Sequence, residues 1–142
     1  KGLDLLVEAL SLAPPHVRLV IVGEGPARET ILAAAQRCGV ADRLLMPGFL
    51  PDPHHYVGHF DMLALSSRSE QQPIAVIEAM AAGIPIVAPP VGDVPDMVAP
   101  INAPHIVPRS AAALADAIAR LAADPRLRQA IGAANRRRAA QE

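Results

Sequence analysis

The chain has 142 residues, of which 51% are hydrophobic, 19% charged and 2% aromatic, and its formal net charge is −1. That balance excludes a disordered tail, and the length suits one domain burying roughly two-thirds of its unfolded surface. With 13 basic against 14 acidic residues and a single cysteine, Cys38, the chain offers no basic face for nucleic acid, no internal disulfide and no cysteine-based zinc site.

Taken in chain order, Lys1 is the only lysine and stands where a start methionine would, which reads as an excised piece of a larger protein. Leu3, Leu6, Val7 and Leu10 repeat at helical spacing, so residues 3–13 are predicted as a helix stopped by Pro14-Pro15. Val17 to Val22 is a nearly unbroken, β-branched apolar run and is predicted as a buried strand. Gly23-Glu24-Gly25-Pro26 turns the chain, Pro26 suits a first helical turn, and Cys38-Gly39 ends that helix with a left-handed glycine. A short strand follows over Arg43–Met46, then a proline-rich loop over Pro47–Pro53 and a short helix over His54–Phe60. Met62–Leu65 is the next strand, and Ser66–Gln72 a polar loop. Pro73 opens a helix that Gly83 closes, and Ile84–Ala88 is a strand with its proline placed early. A brief helix over Val94–Val98 and a short strand over His105–Val107 come next. Ser110 caps a helix over Ala111–Ala123, and Asp124 caps another from Pro125 to Ala139.

Strand and helix alternate throughout, with no internal repeat or flexible linker. The fold class expected is α/β, a Rossmann-like doubly wound parallel sheet with helices on both faces, over residues 1–142. Ring-poor composition implies a core of Leu, Ile, Val and Ala. Charges or prolines interrupt every apolar run well short of about 18 residues, so no membrane span is expected. No secretory signal precedes the first helix, and the lone thiol fits a reducing, cytoplasmic setting. In open parallel sheets ligands sit beyond the carboxyl ends of the strands, here the loops 23–26, 48–53, 66–73 and 89–92.

The densest chemistry runs from Glu70 to Gly83. Glu78 lies inside a strongly apolar helix, where an unpaired carboxylate is costly, so it needs a partner; a pair of ligand hydroxyls is one candidate. Free N–H groups at Ile74 and Ala75 open the same helix, Pro73 presets its first turn, and such a terminus holds a phosphate well. The plainer alternative is an amphipathic helix with Glu70 as its cap and Glu78 in water.

The stretch Glu70-Gln71-Gln72-Pro73-Ile74-Ala75-Val76-Ile77-Glu78 resembles the E-x7-E motif of GT4-family retaining glycosyltransferases, which have the GT-B architecture. The likeness continues in order along nearly the whole chain. It takes in Lys1-Gly2 before the first helix, Leu19 to Pro26 with its Gly-x-Gly-Pro turn, and Gly48. Ala79 to Val87, Val91 to Val98 and Asp124 to Arg128 follow. The part resembled is the C-terminal, donor-nucleotide-binding domain, with the N-terminal acceptor domain outside the chain.

The resemblance implies a UDP- or GDP-sugar donor, transfer with retention, and no metal or other cofactor. It makes Glu70 and Lys1 the catalytic candidates. Lys1 would neutralise the diphosphate leaving group, through a charge-assisted bond contributing about 1.5–3 kcal/mol. Gly25, Gln71, Gln72, Pro73, Ile74 and Ala75 would border the donor. Glu78 would take the ribose hydroxyls, Glu70 the sugar hydroxyls, and main chain at Leu50, Pro51 and Asp52 the base. Neither Glu would be a nucleophile, and the two are not a glycosidase pair. The other domain of the same enzyme is the implied partner, and peripheral contact with the inner membrane face would come through it. The chain departs from the pattern at Gln71-Gln72-Pro73, which replaces Gly-aromatic-Gly, and at Gly92-Asp93, which replaces Gly-Gly. It also departs near Pro104, where a glycine is missing, and before Lys1, where the family carries an Arg.

A nicotinamide site is disfavoured, since Arg28 stands at the third fingerprint glycine. His54, His55 and His59 read as solvated histidines without a third metal ligand, and Cys38 as helix packing. Arg136-Arg137-Arg138 reads as a solvated helix end. Two other functions keep the fold: a non-catalytic nucleotide-binding module, and half of a sugar-nucleotide epimerase. In a sheet of order 3-2-1-4-5-6 the five strands found here are 2 to 6. The central strand 1 is missing, which predicts a gap beside Val17–Val22, a strand from another chain, or an altered order.

Overall fold

The computed structural model describes residues 2–141. Among these residues, six α-helices and four short strands follow the expected chain order. Strand β1 (Leu19–Val22) pairs in parallel with β2 (Leu44–Gly48), and β3 (Leu63–Ala64) pairs in parallel with β4 (Ile86–Val87). A parallel bridge from Ala88 to Ile106 extends the second sheet by one residue pair. The two sheets share no ladder, so among the described residues no continuous 3-2-1-4-5-6 sheet forms. Two separate ladders agree with a strand count that lacks the central strand.

Side-chain alternation decides which helix covers which face. Ala64 and Val87 point into a cluster with Leu6 and Ala9 of α1 (Leu3–Leu12) and Leu114, Ala117 and Leu121 of α5 (Ala111–Ala122). Their neighbours Leu63 and Ile86 point the other way, toward Val76, Ala79 and Met80 of α3 (Ile74–Ala81) and Val94 and Met97 of α4 (Val94–Met97). Leu19 and Ile21 of β1 pack with Val7 and Leu10 of α1 and Ile31, Ala34 and Ala35 of α2 (Arg28–Arg37). Fully burying one side chain such as Val87 stabilises by about 1.5–3 kcal/mol over leaving it exposed.

Several boundaries move for local reasons. The run Val17–Val22, expected as a buried strand, pairs only from Leu19 and is half-buried, because one edge and one face of β1 stay uncovered. Helix α2 starts at Arg28, not Pro26, since the Gly25 carbonyl accepts the Arg28 N–H in a preceding turn (3.3 Å). Strand β2 runs on through Pro47 to Gly48; an edge strand tolerates the proline. The expected helix over His54–Phe60 is two 3₁₀ turns, Pro53–His55 and Val57–His59. The strand expected over His105–Val107 is only the Ile106 bridge, preceded by a 3₁₀ segment, Pro100–His105.

The caps follow the sequence closely. Gly39 takes φ +73° after α2, and the Val40 N–H reaches back to the Ala35 carbonyl (2.9 Å). Ser110 Oγ accepts the Ala113 N–H (3.1 Å), and Asp124 Oδ1 accepts the Leu127 N–H at the start of α6 (Pro125–Gln141) (3.0 Å). No described helix is long and apolar enough to cross a membrane.

Candidate functional site

The loop after β3 carries a cavity of about 370 Å³ between itself and the start of α1, lined by Gly2, Asp4, Ser67, Arg68, Ser69 and Glu70. It opens at the carboxyl end of the sheet, where parallel strands place ligands. Glu70 is half-buried, and its Oε1 accepts the Ser67 hydroxyl at 2.7 Å. Glu70 is therefore not the cap of α3. Pro73 is the N-cap residue and supplies no side-chain bond, so the Ile74 and Ala75 N–H groups at the helix start have no acceptor among the described residues. An uncapped terminus of this kind carries partial positive charge.

Glu78 lies a turn and a half further along α3 and is half-buried, whereas Val76, Ala79 and Met80 of the same helix are buried. Its carboxylate meets no hydrogen-bond or ion-pair partner among the described residues. A half-buried carboxylate without a protein partner can accept hydrogen bonds from a ligand. Three features thus share one segment: an oriented carboxylate, an uncapped helix start and a carboxylate awaiting partners.

Other expected site residues lie in separate loops. Gly25 is exposed in the turn after β1. Leu50, Pro51 and Asp52 are exposed beyond β2; Asp52 takes φ +54°, and the Leu50 carbonyl accepts the Tyr56 hydroxyl at 3.4 Å. Gln71 and Gln72 are exposed, and Pro73 is buried. None of Gly25, Leu50, Pro51, Asp52, Gln71, Gln72 and Glu78 lines the cavity that holds Glu70. Lys1, expected as the phosphate ligand, lies outside the described residues.

Sequence reasoning missed Ser67, Arg68 and Asp4. A hydroxyl three residues before Glu70 was the available signal for Ser67. Arg68 is exposed on the cavity rim and meets no ion-pair partner among the described residues. Arg109, in the loop before α5, was also missed; its Nε donates to the Ser66 carbonyl (2.9 Å), and its guanidinium lies against Gly2. No group of three His, Cys, Asp or Glu among the described residues is placed to hold a metal.

Comparison with known proteins adds a family. Residues 1–138 match the family described as "Glycosyl transferases group 1". The chain is 36% identical, over 96% of its length, to a Mycobacterium tuberculosis protein named GDP-mannose-dependent alpha-(1-6)-phosphatidylinositol monomannoside mannosyltransferase, of which it covers 39%. Among solved structures it is similar to a sucrose-phosphate synthase from Thermosynechococcus elongatus (TM-score 0.90, 31% identity, 99% of this chain and 38% of that one). It is also similar to Anabaena Alr3699/HepE in complex with UDP (TM-score 0.88, 25% identity, 99% of this chain and 41% of that one). HepE has also been solved with UDP-glucose. The chain spans 24% and 39% of the first two relatives' lengths, so it corresponds to a part of such proteins. The fold is the Rossmann-like half of a GT-B architecture, and the chain belongs to the group 1 glycosyl transferases.

Proposed function

We propose that this chain is the C-terminal, donor-binding domain of a glycosyltransferase that takes a UDP- or GDP-sugar and transfers the sugar with retention of configuration. The observation that carries this reading is the half-buried, unpartnered Glu78 carboxylate on a helix whose N-terminus is uncapped. A ribose supplies two hydroxyls to the first, and a diphosphate supplies the anion for the second. The complexes of HepE with UDP and UDP-glucose support a nucleotide-sugar ligand, and the mannosyltransferase relative supports a GDP-sugar as readily.

In this reading Glu70, steadied by Ser67, receives sugar hydroxyls, and the Ile74 and Ala75 N–H groups face the diphosphate. Lys1 neutralises the leaving phosphate. The exposed main chain at Leu50, Pro51 and Asp52 borders the base, and Gly25 lets the diphosphate approach. Charge on the leaving group is met by fixed dipoles and lysine, so the proposed chemistry uses no metal. The acceptor site belongs to the N-terminal domain of the same enzyme. The proposed setting is the cytoplasm, with any contact to the inner membrane face made by that other domain. The donor domain alone is expected not to turn over.

Calorimetric titration with UDP and GDP tests the reading. Glu78→Gln keeps the side chain's size and removes its charge. Without the charge-assisted bidentate hydrogen bonds, nucleotide binding is expected to weaken by roughly tenfold to a hundredfold, from about 1.5–3 kcal/mol. Unchanged affinity rejects the ribose role, and sugar transfer by the isolated domain rejects the half-enzyme reading.

A further inference from the structure

The loop that carries Glu70 leans on another loop, backbone against backbone. Gly92 lies between β4 and α4 at φ +52°. A Cβ there would fall inside contact distance of the Glu70 and Gln71 carbonyl oxygens, and only 2.7 Å from the Glu70 carbonyl carbon. The two carbonyls occupy the space that any other residue's side chain needs. The next residue locks the arrangement: the Asp93 N–H donates to the Gln71 carbonyl at 2.8 Å. Glycine is thus required at position 92 twice over, for its left-handed backbone and for the approach of its neighbour.

The far end of the same loop is held by Arg109, whose Nε donates to the Ser66 carbonyl at 2.9 Å. With its carbonyl turned toward Gly92, Glu70 keeps its carboxylate by Ser67 in the cavity. Glu78 is held by side-chain packing rather than by backbone contact with Gly92: the helix that carries it packs with Val91, Val94 and Met97 on either side of that glycine. It rides on α3, which is anchored through buried Val76, Ala79 and Met80.

We propose that Gly92 is a positioning residue for Glu70: it sets the sugar-facing carboxylate through the Glu70–Gln71 backbone and leaves the ribose-facing Glu78 untouched. This rests on the donor-site reading above. Placement errors of about an ångström at a reacting group have large effects, so the two halves of the site should respond differently to one substitution.

The experiment compares Gly92→Ala with the unsubstituted protein, using UDP, UDP-glucose, GDP and GDP-mannose as probes. For whichever nucleotide binds, the variant is expected to hold the bare nucleotide within twofold. The ratio of nucleotide-sugar Kd to nucleotide Kd should rise at least tenfold. A ratio unchanged within twofold, or equal weakening of both ligands, overturns the inference and leaves the donor site standing. If none of the four probes binds the unsubstituted protein, the donor-site reading falls and the inference with it. A second measurement needs no variant and covers the case in which Gly92→Ala does not fold. In the unsubstituted protein the Asp93 amide is expected to exchange at least threefold more slowly with the nucleotide sugar than with the bare nucleotide. Equal exchange overturns the inference.

Discussion

Strands β1 and β4 are both short, apolar and parallel-paired, yet they sit in opposite surroundings. Ile86 and Val87 of β4 are fully buried, with α1 and α5 on one face and α3 and α4 on the other. Every residue of β1 is only half-buried. Its Leu19 and Ile21 reach the core against α1 and α2, whereas Val20 and Val22 join no buried cluster, and Leu45, opposite Val20, is 60% exposed. The difference lies in polar satisfaction as well as in packing. The edge of β4 beyond β3 is completed by a side chain: the Ile86 N–H donates to Asn102 Oδ1 (2.9 Å), and Asn102 Nδ2 donates to the Ile86 carbonyl (2.8 Å). One amide thus stands in for a residue of a neighbouring strand. Asn135 of α6 then donates to Asn102 Oδ1 (2.9 Å) and accepts the Ala99 N–H (2.9 Å). Among the described residues β1 pairs with β2 alone. A strand can be wholly buried only where every backbone group finds a partner, and here two asparagines supply what the ladder does not.

The comparison breaks most sharply at Asn102. Asn102→Leu keeps the branched shape with a somewhat larger side chain and removes both bonds to Ile86, leaving a buried N–H and carbonyl unpaired. With about one to three kcal/mol for each of the two orphaned groups, the expected loss is about 2–6 kcal/mol of folding stability. Urea denaturation measures it, and a loss under about 1 kcal/mol would show that the amide is not what lets β4 be buried.

A smaller effect is expected where α6 meets the turn after α3. Gly132 is buried in mid-helix, and a Cβ on it would run into the Gly83 carbonyl, with the Gly83 carbonyl carbon at 2.8 Å. Alanine is favoured over glycine in an isolated helix by about 1 kcal/mol. Backbone cannot yield as a flexible side chain does, so overpacking outweighs that preference. Gly132→Ala should destabilise by about 1–2 kcal/mol net. A stabilised variant would mean that α6 slides freely over the turn, and that the carboxyl half is held less tightly than its burial implies.

The same contrast explains what the sequence made legible. Apolar periodicity carried the helices, and Gly39, Ser110 and Asp124 carried their ends, because caps are local chemistry. The Glu70–Glu78 segment was visible because its spacing, its helix and its ligand chemistry are all written in one stretch. Contacts between distant segments were not visible. Gly92 against Glu70 and Asn102 against Ile86 join loops that only the fold brings together, and Asn102 reads in sequence as an ordinary polar loop residue. Strand lengths were overestimated for a related reason. Val17–Val22 is apolar apart from Arg18, but how much of it pairs depends on a partner supplied from elsewhere in the fold.

Acidification probes the carboxyl half by a third route. His105 is 4% exposed, and its Nδ1 has no hydrogen-bond partner among the described residues. Burial first, and the nearby Arg120 guanidinium second, lower its pKa below the ordinary value of 6.5, against a smaller opposing influence of the Asn102 main chain. The unfolded chain therefore binds a proton at a pH where the folded chain still refuses it. Stability from this group is complete above pH 6.5 and is lost as pH falls below that value toward the lowered folded one. His105→Gln, neutral throughout, is expected to flatten that part of a stability-against-pH curve. Identical slopes in the two proteins would place the acid sensitivity elsewhere. The residue before the Ile106 bridge would then be no tighter against charge than the open β1 edge, and full burial of β4 would depend on the asparagine pair alone.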